Sequence, residues 1–275
     1  MLKSHEVTTM LSEIPLVRAL DALRSHRQRS AMPDLPDAGS LHEIFQNSTI
    51  NALLEGVYDG SMTYGELRQR GDFGLGTFNA LDGEMVALDG QFYQVTADGS
   101  VRTVADTQQT PFATVLFFRP SFRRSLKGPL DYEQLQSQLD TFTDGPNLFY
   151  AMRIDGRFTF VKTRILPRQE KPYPPLADVA KNQPLFHFVD VNGTLAGFRF
   201  PDFARGLNVP GFHLHFLTED RTAGGHVLDL VLEDGELSID ASARFHLELP
   251  TDPAFLQADL GLDQGQALEQ AERGT

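Results

Sequence analysis

Apolar positions along the chain change their period more than once. Over residues 12–23, Ile14, Leu16, Val17, Leu20 and Leu23 recur at helical spacing behind Ser12 and Pro15, which predicts a capped helix. The basic stretch RSHRQRS and the Pro- and Asp-containing MPDLPDAGS follow, so residues 1–40 read as an N-terminal helical arm and linker. Two short helices come next. One is capped by Asn47 or Ser48 and runs through Leu54; the other opens with a Thr63/Glu66 capping box and closes at Gly71. The period then becomes that of strands. LDGEMVALDGQFYQVTADGSV carries Asp-Gly at 82–83, 89–90 and 98–99, the mark of a meander with tight turns. PFATVLFF predicts a strand buried on both faces. DYEQLQSQLDTF predicts a helix capped by Asp131, with Leu135, Leu139 and Phe142 on one side. NLFYAMRIDGRFTFVKTRIL reads as a second hairpin turning at Asp155-Gly156. After the stiff KPYPP come a short helix (LADVAKN) and the strands TLAGFRF, FHLHFLT, HVLDLVL and ELSID. The expectation is a β-rich α+β fold: two lobes of mixed or antiparallel sheet with a few short helices. An N-terminal lobe over 41–170 and a metal-binding C-terminal lobe with a tail over 171–275 would meet near Lys171–Pro175.

Composition narrows the function. Apolar residues are 41% and charged residues 22% of the 275, the balance of a folded chain. The net charge of −13, from 24 basic and 37 acidic residues, argues against nucleic acid or an anionic membrane as partner. No apolar run reaches the length of a membrane-spanning helix. There is no cysteine, which removes disulfides, thiolate catalysis, iron–sulfur clusters and Cys-ligated zinc; a metal would need His and carboxylate ligands. The N-terminus has neither the unbroken apolar core nor the cleavage site of a signal peptide, so a cytoplasmic location is expected.

The segment from Gly211 to His226 carries the chemistry. His213 and His215 alternate with Phe212, Leu214 and Phe216, so on a strand both imidazoles point to one face. A turn-rich connection follows, and His226 begins the return strand, where it can come beside the first two. Three histidines with open positions are a common way to hold catalytic zinc; the plainer reading is a pair of half-exposed strand histidines. His187 and His246 have no partner at ligand spacing and read as structural or surface groups. In RFTFVKTR, Phe158, Phe160, Lys162 and Arg164 share a strand face. Arg164 there either snorkels at a sheet edge or lies buried against an anion such as a carboxylate. Glu84 follows the Asp82-Gly83 turn, where a solvated glutamate is the plainer reading.

These residues sit in motifs that resemble the bacterial acetolactate decarboxylase family. The similar runs are LLEGVYDGSMTYGELRQRGDFGLGTFNALDGEMVALDGQFYQV, NLFYAMRIDGRFTFVKTR, QEKPYPP and GFHLHFLTEDRTAGGHVLDLVLEDG, in the same order, over about residues 41–250. The resemblance implies a homodimer of two β-rich lobes that converts 2-acetolactate, a 2-hydroxy-3-oxo acid, to acetoin and CO₂. It implies zinc on His213, His215 and His226, active-site roles for Glu84 and Arg164, and Thr77 near the substrate. It also implies a glutamate from the C-terminal tail; in LEQAERGT the candidates are Glu272, taken first, and Glu269. The zinc would act as Lewis acid toward the ketone and stabilise the enediolate left by CO₂, and iron, manganese or cobalt suit the same ligands.

Two other classes remain open. His213-x-His215 with Glu219 is similar to a first cupin motif, which would make Glu219 a ligand; its glycines are off register and no second motif follows. A non-catalytic β-rich module with structural zinc would need a fourth protein ligand.

Overall fold

The computed structural model describes residues 43–261 and 264–273. The arm and linker expected over 1–40 lie outside the described residues. Strands β1 (Glu43–Asn47), β3 (Phe73–Thr77), β4 (Glu84–Leu88), β5 (Gln91–Val95), β6 (Val101–Thr103), β8 (Ala113–Leu116) and β14 (Arg244–Glu248) make one sheet, ordered β14-β1-β8-β3-β4-β5-β6. Its neighbours are antiparallel except β14, which lies parallel to β1. The meander forms as expected, but only Asp89-Gly90, with positive φ values of 52° and 79°, makes a two-residue turn, between β4 and β5; Asp82-Gly83 ends a longer connection between β3 and β4, and Asp98-Gly99 lies in a longer loop between β5 and β6. Both faces of this sheet are covered, which is why the strand part of PFATVLFF, Ala113–Leu116, is buried throughout, while Phe117 beyond it is exposed. Ile44, Leu75, Val86 and Leu116 pack toward the second sheet, while Phe45, Met85, Ala87 and Val115 pack on the other side with Tyr64 and Leu67. A short ladder, β2 (Met62–Thr63) with β7 (Gln109–Thr110), stands apart.

The second sheet is built from β9 (Phe122–Asp131), β10 (Phe149–Arg164), β11 (Leu185–Phe200), β12 (Gly211–Thr218) and β13 (Gly224–Ser242). One edge of β13 pairs with β10; the other pairs first with β12 and then with β9. Because β10 also pairs with β11, and β11 with β12, four strands close into a ring. The end of that ring holds the histidines.

Several expectations change here. Asp155-Gly156 is no turn: β10 runs straight through it, and β13 likewise joins HVLDLVL and ELSID through Asp234-Gly235. Gly156 pairs with Gly193 on one side and Gly235 on the other. A side chain at Gly156 would put a Cβ 2.4 Å from the Asp234 carbonyl oxygen. The Asp-Gly signal therefore marks a close approach of backbones. Register shifts in the β10–β13 ladder also break the expected alternation: Phe158, Val161, Thr163 and Arg164 are buried, while Phe160 and Lys162 are partly exposed. The sheets do not divide the chain near residue 171. They part between Leu116 and Phe122, and β14 returns to the first sheet.

The described helices are short. Helix α1 (Ile50–Leu54) is capped by Thr49, whose hydroxyl accepts the Ala52 N–H, and not by Asn47, which ends β1, or by Ser48, which takes a positive φ of 66°. Helix α2 (Tyr64–Leu67) has the expected capping box but ends at Arg68; Gly71 lies beyond it, against the Leu116 backbone. Helix α3 (Tyr132–Asp140) is capped by Asp131 and buries Leu135 and Leu139. Helices α4 (Leu176–Ala180), α5 (Pro253–Gln257) and α6 (Gly265–Arg273) follow. Among the described residues no helix is long and apolar enough to cross a membrane.

Candidate active site

Backbone register brings the site together. Arg164 pairs with His226 across β10–β13, and His226 pairs with His215 across β12–β13, so the three stand at one level of the ring. His213 lies two residues from His215 and faces the same way. From the first sheet, Thr77 and Glu84 form a cross-strand pair between β3 and β4. The turn joining them is strained: Ala80 and Leu81 take positive φ values of 61° and 54°. It is pinned by the Thr77 hydroxyl, which donates to the Gly83 carbonyl at 2.8 Å. The Thr77 carbonyl in turn accepts from the hydroxyls of Tyr64 and Thr110.

The Glu84 carboxylate is buried and fully engaged. Its Oε1 accepts from Arg164 Nη1 at 2.7 Å and from the Leu166 N–H at 3.2 Å, and its Oε2 lies 3.6 Å from His215 Nε2. The plainer readings of a solvated Glu84 and an edge-of-sheet Arg164 are therefore set aside: both side chains are under 5% exposed. Glu272 reaches the same place from α6. Its carboxylate oxygens lie 3.6 Å from Arg164 Nη2, 3.5 Å from His226 Nε2 and 3.7 Å from His213 Nε2. Glu269, the other tail candidate, is exposed. The buried Arg164 Nε has no hydrogen-bond partner among the described residues, so part of the fork is uncommitted.

The three imidazoles fit a metal. Their candidate ligand atoms all lie within 4.8 Å of one another. His226 Nδ1 and His213 Nε2 are 3.2 Å apart, near the roughly 3.3 Å between two nitrogens on one tetrahedral zinc. Two of the three far nitrogens are held as ligand histidines require, while the buried His213 Nδ1 has no hydrogen-bond partner among the described residues. His215 Nδ1 donates to the Met85 carbonyl at 2.8 Å, and His226 Nε2 to the Glu272 carbonyl at 3.1 Å. Each bond leaves the opposite nitrogen bare. Burial, with Arg164 adding to it, pushes His213 down to about 3; burial likewise holds His215 at about 3 and His226 well below its ordinary value. All three are thus neutral, the form that binds metal. Burial raises the Glu272 carboxyl to about 7, against the pull of Arg164.

The space enclosed by Thr77, Glu84, Arg164, His213, His215 and Glu272 is small, about 20 Å³. A larger cavity of about 600 Å³, between α3 and the start of β12, reaches His226 and Glu272 from outside. Glu272 lines both and stands between them. Glu219 is not in the site: it hydrogen-bonds Asn192 at the far end of the ring, which removes the ligand that the cupin reading needs. His187 stacks on Phe160, and His246 lies beside Phe45 and Glu43, both away from the cluster. The Leu166 N–H and the Met85 carbonyl escaped sequence reasoning, since backbone groups leave no residue-type signal.

Comparison with known proteins identifies the family. Residues 44–262 match the sequence model of the family described as Alpha-acetolactate decarboxylase. The alpha-acetolactate decarboxylase of Methylococcus capsulatus is 48% identical over 253 residues, 92% of this chain and 97% of its own. That of Bacillus subtilis is 43% identical over 218 residues, 79% of this chain and 86% of its own. A crystal structure of alpha-acetolactate decarboxylase from Bacillus subtilis strain 168 superposes with a TM-score of 0.82 at 41% identity, covering 84% of this chain and 99% of that one. A match along most of the chain, carried by sequence and fold alike, makes the protein a member of the alpha-acetolactate decarboxylase family of carboxy-lyases.

Proposed function

We propose that the protein decarboxylates 2-acetolactate to acetoin and CO₂ with a divalent metal, zinc first, held by His213, His215 and His226. The observation that carries this reading is the meeting of Arg164, two carboxylates and three neutral histidines in one buried space. A cation on these histidines would supply Lewis acidity to the substrate oxygen that gains charge as CO₂ departs. Arg164 keeps Nη1 on Glu84 and offers the rest of its fork to the substrate carboxylate; the 3.6 Å contact with Glu272 is the looser of its two and the one to yield. Glu84, engaged on both oxygens, orients Arg164 and faces His215. Thr77 holds the turn that carries Glu84, with its hydroxyl at the edge of the substrate space.

When the bond between the carbinol carbon and the carboxyl carbon breaks, its electron pair passes to the adjacent ketone, giving an enediolate. Glu272, whose carboxyl burial raises toward neutrality, delivers a proton to the carbon that lost CO₂ and recovers one from solvent through the outer cavity. The net reaction consumes one proton and releases CO₂. A homodimer, which the family resemblance suggests, completes the proposal. The test is to supply racemic 2-acetolactate and follow acetoin before chelation, after it, and after zinc is restored. Loss and recovery of acetoin are expected. Unchanged turnover after complete metal removal would overturn the metal's role, and no acetoin from folded, zinc-loaded protein would overturn the reaction.

A further inference from the structure

The space beside the histidines has two unlike halves. The polar half is the set described above. The other half is apolar: Ile50 and Leu53 of α1, Phe112 before β8, Leu166 after β10, and Leu176 at the start of α4. Ile50 and Leu53 lie one helical turn apart on the same side of α1, and the Ile50 N–H is tied to the Leu207 carbonyl. All five side chains are 6% exposed or less. They belong to one packed cluster that also takes Leu268 and Ala271 of α6. Such a wall does not dilate freely, because packed interiors have little free volume.

A 2-hydroxy-3-oxo acid is divided in the same way. Its carboxylate, hydroxyl and ketone suit Arg164, the carboxylates and the histidine cluster. Its alkyl groups have only the apolar half to occupy. We infer that Ile50, Leu53, Phe112 and Leu176 set the size of alkyl group that the site accepts. This inference rests on the decarboxylase reading and deepens it.

The test compares two substrates, 2-acetolactate and the homologue with ethyl in place of methyl on the carbinol carbon. The ratio of their kcat/KM values is measured for zinc-loaded wild type, Leu53→Ala, Ile50→Val and, as control, Leu256→Ala on the exposed face of α5. One methylene in an apolar pocket discriminates by about 10–200-fold. Leu53→Ala is therefore expected to raise the ethyl-to-methyl ratio by about 10-fold or more, Ile50→Val by less, and Leu256→Ala not at all. Thermal unfolding checks each variant; where Leu53→Ala does not fold, Ile50→Val decides the matter. Ratios equal to wild type in folded Leu53→Ala and Ile50→Val, with acetoin still formed, overturn the inference and leave the decarboxylase reading standing. No product from either substrate in wild type overturns that reading, and the inference with it.

Discussion

Arg164 and His226 face each other across neighbouring strands, and the guanidinium helps keep the imidazole neutral: burial pushes His226 well below its ordinary value, and Arg164 pushes further. One cross-strand position thus prepares two functions. The cation that can meet a carboxylate also discourages protonation of a candidate metal ligand beside it.

Removing that cation should be felt in stability as well as turnover. Arg164→Ala leaves Glu84 as a buried charge without its partner, which costs about 3–5 kcal/mol. Denaturant unfolding of Arg164→Ala, Glu84→Gln and the double variant measures it. The double variant is expected to be more stable than Arg164→Ala. In Glu84→Gln, where the fold survives, kcat is expected to fall by about 10²-fold as Arg164 loses its alignment; near-normal kcat would take Glu84 out of the positioning of Arg164.

The tail glutamates separate cleanly. Glu272→Gln is expected to lower kcat by about 10²-fold, with the protein still folded. Glu269→Gln, on the exposed side of α6, should keep wild-type kinetics. Equal effects in the two variants would mean that α6 matters only for its packing.

The metal-free protein should lose stability on acidification in a recognisable window. His213 and His215 are neutral in the fold down to about 3, whereas in the unfolded chain they protonate near 6.5. The unfolded state therefore binds more protons between those values, and stability falls as pH falls, by up to about 1.4 kcal/mol per pH unit for each histidine. Glu272 acts in the opposite sense: raised from 4.5 to about 7, it favours the fold below 4.5 and loses that contribution as pH rises toward 7. The histidine slope is thus plainest in the Glu272→Gln background. Unfolding free energies of chelated protein, with and without His213→Gln, give the measurement; the variant should show the shallower slope.

Glycine substitutions should distinguish close approach from turn strain. Gly156→Ala drives a Cβ into the Asp234 carbonyl, and overpacking of this kind costs about 1–3 kcal/mol or more. Gly90→Ala meets nothing within 4 Å and carries only the cost of a positive φ, about 1–2 kcal/mol. Melting temperatures of the two variants would rank them, with Gly156→Ala the lower.

Much of this molecule is legible from its sequence, and the failures share a cause. The capping box at Thr63, the Asp131 cap and the Asp89-Gly90 turn are local devices, and the chain's local chemistry determines them. The spacing of His213 and His215 places both on one face for the same reason. Asp155-Gly156 misleads because the same dipeptide serves a turn or a crowded crossing, and only β11 and β13, far away in sequence, decide which. Glu84 and Arg164 look like ordinary polar residues until the two sheets are brought together. The apolar wall is the least legible part: Ile50, Leu53 and Leu176 are indistinguishable from any other core leucine or isoleucine until the space they border is seen.

The parallel pairing of β1 with β14 has a consequence for how the protein is made. Glu43 leaves the ribosome about 200 residues ahead of its ladder partner Arg244. Until Arg244 emerges, β1 can pair on its β8 side alone, and its other edge offers free backbone groups to any strand nearby. Protection of the nascent chain, by a chaperone or by rapid completion, thus matters more for this edge than for the ring of β10–β13, whose most distant partners, Phe149 and Ser242, are far closer in sequence than Glu43 and Arg244.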